Sequence, residues 1–327
     1  MPARQGLAVQ DDWKSKIAIL VRRKQMMRGL KKYRTLARTT ELWAYAFLSI
    51  PIIFYVVVRF YPTLYAFYLS LTDWDIVSSN MNFIGFENYS HLWDDAVFKK
   101  TLFNTIRYVV CGLPVSLFLG FVLAYHINYL TVGSDFFKTV YFMPYITSMV
   151  AVAWVWRWLF QPPPVGVFNN ILATLGFSAQ PFLRSTTQAP FAILMTTIWA
   201  DLGFQMIIFL AGMKGISEQY YEAARIDGAT NMQQLRAITL PLLKPTMVFL
   251  VITGTIRYLR IFTQVMNMTS QGDGGPLNST KPLVLYIYDT AFRSFEMGYS
   301  ATMTVVLFCI ILVVTLIQMR ISRSEET

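Results

Sequence analysis

Six apolar segments, each about 20 residues or longer and nearly free of charge, leave this chain few folds to choose from. A hydrocarbon layer of roughly 30 Å takes about 20 residues of helix, and lipid offers the backbone no hydrogen-bond partners, so such segments become helices. They lie at about 42–71, 108–130, 140–160, 189–213, 242–268 and 297–319. The first carries Arg59, Pro51 and Pro62, the fourth Asp201, the fifth Arg257 and Arg260; the second and sixth carry no charge. The third ends in Trp154, Trp156 and Trp158, as an interfacial aromatic belt would, and a Pro-rich break follows at 161–164. Hydrophobic residues make up 55% of the chain and charged ones 14%, against about 25% charged in soluble domains. The expected fold is an all-α membrane protein with six transmembrane helices, without an internal repeat.

The net charge of +10 is a tail rather than a nucleic-acid groove, because residues 1–40 hold eleven of the 28 Lys/Arg and only two Asp. Forty polar and basic residues precede the first apolar run, which is not the pattern of a signal peptide. Trp13 to Arg38 suits either a basic amphipathic helix on anionic lipid or a disordered basic arm. With residue 1 inside, the inner segments hold eighteen Lys/Arg and the outer loops five, and loop 73–98 holds only acids. Both termini are therefore expected in the cytoplasm, with a basic segment at 1–40, a transmembrane domain at 41–320 and a short tail at 321–327. Cys111 and Cys309 lie in apolar runs and read as small hydrophobes. His91 and His126 have no partner at metal-ligand spacing, and no catalytic triad or carboxylate pair is visible. No metal site or catalytic residue is expected.

One inner loop differs from the rest. Ser217 is expected to cap a short helix whose first turn holds Glu218, an acid at the positive end of the dipole, and Gly228 permits a turn that residues with a Cβ resist. A second short helix is expected at about 232–238, and Pro241 suits a helix start. Together they form a helix-turn-helix lever able to dock in a partner's cleft.

The lever carries Glu222, Ala223, Ala224, Gly228, Ile238, Leu240 and Pro241 at the spacing of the EAA motif, and so resembles the permeases of binding-protein-dependent ABC importers. Strings such as Phe60-Tyr61-Pro62, Ser70-Leu71-Thr72-Asp73-Trp74, 83–89, 156–160 and Gly298-Tyr299-Ser300-Ala301 resemble the carbohydrate-importing branch, of the maltose and glycerol-3-phosphate first-subunit type. That branch usually shows a shorter glycine turn than the Thr269 to Pro276 run present here. The resemblance implies a type I importer permease fold in a bacterial inner membrane, working by alternating access. It also implies a second homologous permease, two copies of a cytoplasmic ATPase that binds the ATP and Mg, an external solute-binding protein, and no cofactor in this chain. The coupling residues it implies are Glu218, Tyr221, Glu222, Ala223, Ala224, Asp227, Gly228 and Ala229. No Gly-x4-Gly-Lys-Ser/Thr phosphate loop occurs in the sequence, so the energy is expected from another polypeptide.

Charges inside spans are costly, about 2.5–3.5 kcal/mol each on insertion scales, and need partners or a watery cavity. Arg257 and Arg260, at i and i+3, are expected on one helix face roughly 24–29 Å beyond Pro241. With Tyr258, Gln264 and Asn267, and with Trp199, Asp201, Gln205 and Tyr145 from other spans, they form the candidate substrate path. Two guanidinium groups would suit an acidic oligosaccharide such as an alginate oligomer. Equally open are pairing with Asp201, pairing with acids of a partner, and snorkelling, which would leave the cargo a neutral oligosaccharide or a glycerol-3-phosphate-like solute. From other classes, a secondary transporter would want repeats and coupling acids, and an intramembrane enzyme a catalytic pair.

Overall fold

The computed structural model describes residues 40–77, 81–130 and 132–323. The basic segment at 1–39 and the end of the tail at 324–327 lie outside the described residues. The chain divides into two compact units, 1–65 and 66–327. The described part of the first is one helix, the beginning of α1 (Thr40–Leu69), with a π-helical turn at Val56–Phe60 and Tyr61 stacked on Tyr65.

The second unit holds α2 (Glu87–Asp94), α3 (Ala96–Asn128), α4 (Ser134–Ile146), α5 (Met149–Leu159), α6 (Val167–Thr174) and α7 (Ala189–Lys214). There follow α8 (Glu218–Ile226), α9 (Asn231–Leu242), α10 (Lys244–Leu259), α11 (Thr263–Met268), α12 (Leu283–Phe292) and α13 (Met297–Arg323). Among the described residues no strand forms beyond two isolated bridges. Four helices, α1, α3, α7 and α13, are long and apolar enough to cross a membrane alone. Two bent pairs raise the number to six: α4 with α5, at 96°, and α9 with α10, at 62°.

Two expected spans therefore depart from single helices. The third breaks where Thr147 turns extended, just after Pro144; a proline ring within a helix removes a donor and crowds the preceding turn. The fifth ends at Leu259, and three residues, with Arg260 and Phe262 off helical geometry, intervene before α11 begins. Ile261 is buried in the core by that departure. The second span, by contrast, starts twelve residues earlier than 108, because Asp95 caps a helix there: its Oδ1 accepts from the backbone N–H of Val97 and Phe98 at 2.7 and 3.0 Å.

Small residues let the spans approach closely. A Cβ on Gly203 of α7 would lie 2.0 Å from the Tyr141 carbonyl oxygen of α4. On one side Tyr108, Trp156, Ile193, Tyr258 and Leu285 share a core, and on the other Ala124, Met206, Phe209, Leu243 and Leu250 do. The Gly-rich run after α11 is pinned to α3: Asn104 Nδ2 donates to the Asn278 and Lys281 carbonyls, and Tyr108 OH to that of Thr280.

Candidate functional site

Asp201, Phe204 and Gln205 stand at i, i+3 and i+4 on α7 and so share one face. Asp201 is 3% exposed, and a charge so placed requires a counter-charge. Arg257, on the last turn of α10, supplies it: Nη1 donates to Asp201 Oδ1 at 2.5 Å, while Nη2 donates to Tyr145 OH of α4 at 2.8 Å. The guanidinium carbon lies 4.9 Å from the Tyr145 ring centroid and 5.4 Å from that of Phe204, within cation–π range. Those two rings stack at 4.9 Å and 17°. Three spans thus meet at one cation. Beside it lies a cavity of about 70 Å³ lined by Asp201, Gln205, Leu250, Thr253, Gly254 and Arg257. Asp201 Oδ2 and Gln205 Oε1 are buried without a hydrogen-bond partner.

The other path candidates fall elsewhere. Arg260 is the C-cap of α10, exposed and at φ −113°, so the two arginines do not share a helical face. The chain has already left the helix there to bury Ile261. Tyr258 is fully buried, with its ring over Gly112. Trp199 faces Trp156, their centroids 5.6 Å apart, away from the Asp201 cluster. Gln264 and Asn267 belong to α11; Asn267 Nδ2 donates to the Thr263 carbonyl, and its own carbonyl accepts from Arg157. Phe204 is the cluster member sequence reasoning passed over, although its i+3 relation to Asp201 pointed to it.

Between the spans α7 and α10, the expected lever takes the form of α8, a turn and α9. Ser217 occupies the N-cap with extended backbone, yet its side chain makes no capping bond, contrary to expectation. Glu218 stands in the first turn, where the helix dipole favours an acid. Gly228 sits at φ +77°, the left-handed region that glycine enters freely. Ala229 N–H closes the turn onto the Ala224 carbonyl at 2.8 Å. The second helix has a stronger start than the sequence reading found, a capping box of Thr230 and Gln233. It also continues past 238 to Leu242, through a π-helical turn at Leu235–Thr239. Tyr221 OH meets Thr239 Oγ1 at 3.0 Å and ties α8 to α9, whereas Glu222, Ala223, Asp227 and Gly228 are exposed and Ala224 and Ala229 half-buried.

Comparison with known proteins gives this arrangement a family. Residues 112–326 match the model of the binding-protein-dependent transport system inner membrane component. The lactose transport system permease protein LacF of Rhizobium radiobacter is 32% identical over 296 residues, 89% of this chain and 98% of that protein. The arabinooligosaccharides transport system permease protein AraP of Bacillus subtilis is 31% identical over 293 residues, 89% and 92% of the two chains. A chain of a bacterial ABC transporter involved in the import of the acidic polysaccharide alginate superposes with a TM-score of 0.78, at 24% identity, over 88% of this chain and 96% of that one; the likeness is one of fold. With its multi-pass helices and exposed inter-span lever, the chain belongs to the binding-protein-dependent transport system inner membrane components.

Proposed function

We propose that this chain is the permease subunit of an ATP-driven oligosaccharide importer and forms half of its pore. Relatives named for lactose and arabinooligosaccharide transport support a saccharide cargo. The observation that carries the mechanism is the exposed α8–turn–α9 lever between two spans. A separate ATPase, present as a pair and holding ATP and Mg, grips the face made by Glu218, Glu222, Ala223 and Asp227. Its closure pushes the lever and, through the Tyr221–Thr239 contact, the 62° bend into α10. A second homologous permease completes the pore, and a solute-binding protein delivers cargo from outside; a relative of like fold has been solved with an alginate pentasaccharide-bound periplasmic protein. Both termini, with the lever, face the cytoplasm in this reading, which the Lys/Arg distribution supports.

Cargo passes the Asp201–Arg257–Tyr145 cluster, where aromatic faces and hydrogen-bonding groups converge. Reconstitution of the permease pair, ATPase and binding protein in lipid vesicles tests the reading. ATP-dependent accumulation of a radiolabelled oligosaccharide is the expected result. Accumulation driven by an ion gradient without ATP, or failure to co-purify with any ATPase, contradicts it.

A further inference from the structure

We propose that Asp201 and Gln205 form a hydroxyl-reading subsite, closed by Arg257, that selects uncharged saccharides over uronates. The inference rests on the saccharide-importer reading and adds the charge class of the cargo.

The buried atoms that Asp201 and Gln205 leave without a partner, Oδ2 and Oε1, are both acceptors, and both residues line the same cavity. A carboxylate brings only acceptors, whereas a saccharide hydroxyl brings a donor. Charge balance points the same way. Arg257 is already neutralised by Asp201, which is 95% buried at its side chain, and Arg260 lies beyond the helix end rather than beside it. A uronate at this site would set a second carboxylate beside the buried, unpartnered Asp201 Oδ2, with Arg257 as the single counter-charge for both. A hydroxyl adds no charge, since it donates to Oδ2 while Oδ1 keeps Arg257, and it can accept from the guanidinium.

Size makes Arg257 a closure as well as a partner. At about 70 Å³, under half of the roughly 150 Å³ of a cavity that takes benzene, the recess is too small for a sugar ring while Arg257 stands in place. Arg257 has 40% of its side chain exposed and lies across the stacked Tyr145 and Phe204 rings. Once it swings aside within reach of Asp201, the Phe204 ring becomes a stacking face for a pyranose.

The test is calorimetric titration of the complete detergent-solubilised transporter, without binding protein, with a neutral glucose trisaccharide and a mannuronate trisaccharide. The wild type should bind the neutral sugar at least tenfold more tightly. Asp201→Asn should shrink that preference at least fivefold by admitting the uronate, and the charge-balanced Asp201→Asn/Arg257→Gln pair should weaken the neutral sugar while the complex stays assembled by size-exclusion chromatography. Tighter uronate binding in the wild type, equal loss of both sugars in Asp201→Asn, or binding of neither sugar overturns the subsite. In the last case, ATP-driven vesicle import with the binding protein present would leave the importer reading standing.

Discussion

Arg257 Nη1 of α10 and Asp201 Oδ1 of α7 meet at 2.5 Å, although 56 residues separate them in sequence. Among the described residues the contact joins two spans through opposite charges, one deeply buried and the other partly open. Removing either charge alone strands its partner, while removing both does not. Arg257→Gln should therefore destabilise the protein by about 2–3 kcal/mol, and Asp201→Asn/Arg257→Gln by less than either single change. Thermal melts of the purified complex would check this; a double variant less stable than both singles would argue against the pair.

Gly203→Ala introduces a Cβ that would lie 2.0 Å from the Tyr141 carbonyl oxygen, a backbone atom without freedom to yield. Overpacking of this kind costs about 1–3 kcal/mol. The variant should melt several degrees lower and label faster at engineered cysteines on α4. An unchanged melt would mean that α4 and α7 pack less closely than described.

Asp95 predicts an acid-sensitive joint. Burial pushes its carboxyl upward, but hydrogen bonds from Tyr286, the Phe98 N–H, Tyr299 and the Val97 N–H outweigh that and hold it below its ordinary value. Tyr286 and Tyr299 donate to Oδ2 at 2.6 and 2.7 Å. A lowered folded pKa means that the stabilisation is complete above the unfolded value of about 3.9 and is lost as pH falls through the lower folded value. Asp95→Asn keeps a capping oxygen but removes the acceptor shared by Tyr286 and Tyr299, so it should cost about 1–3 kcal/mol at neutral pH and flatten the loss of stability below about pH 4. Melting temperature against pH, compared between wild type and variant, measures it; parallel profiles would remove Asp95 from the account.

Much of this architecture was legible in the chain because charge is so expensive among apolar residues that every span showed as a gap in the charge pattern. The lever was legible for a different reason: Gly228 and the Glu222-Ala223-Ala224 string are local, and the left-handed turn needs no tertiary help. What stayed hidden depends on contacts across the fold. Pro144 marks a break near Ile146 but not the 96° angle taken there, and the helix break at Arg260 follows no glycine or proline. It exists because Ile261 and Tyr258 find room in the core. Periodicity likewise placed Arg257 and Arg260 together, whereas only the folded chain decides that one of them meets Asp201 and the other caps the helix.

Gly228→Val forces a β-branched side chain into φ +77°, where L-residues lose about 1–2 kcal/mol. The strain falls on an exposed turn, so assembly should survive while the angle between α8 and α9 changes. ATP hydrolysis in the reconstituted importer should continue with sugar accumulation reduced at least tenfold. Proportional loss of both activities would mean simple misfolding rather than uncoupling.

The most direct measurement deletes residues 222–228 and follows ATP-driven oligosaccharide uptake in vesicles alongside membrane insertion. The lever account predicts normal insertion, ATPase activity that no longer responds to cargo, and no accumulation. Uptake at the wild-type rate would contradict it.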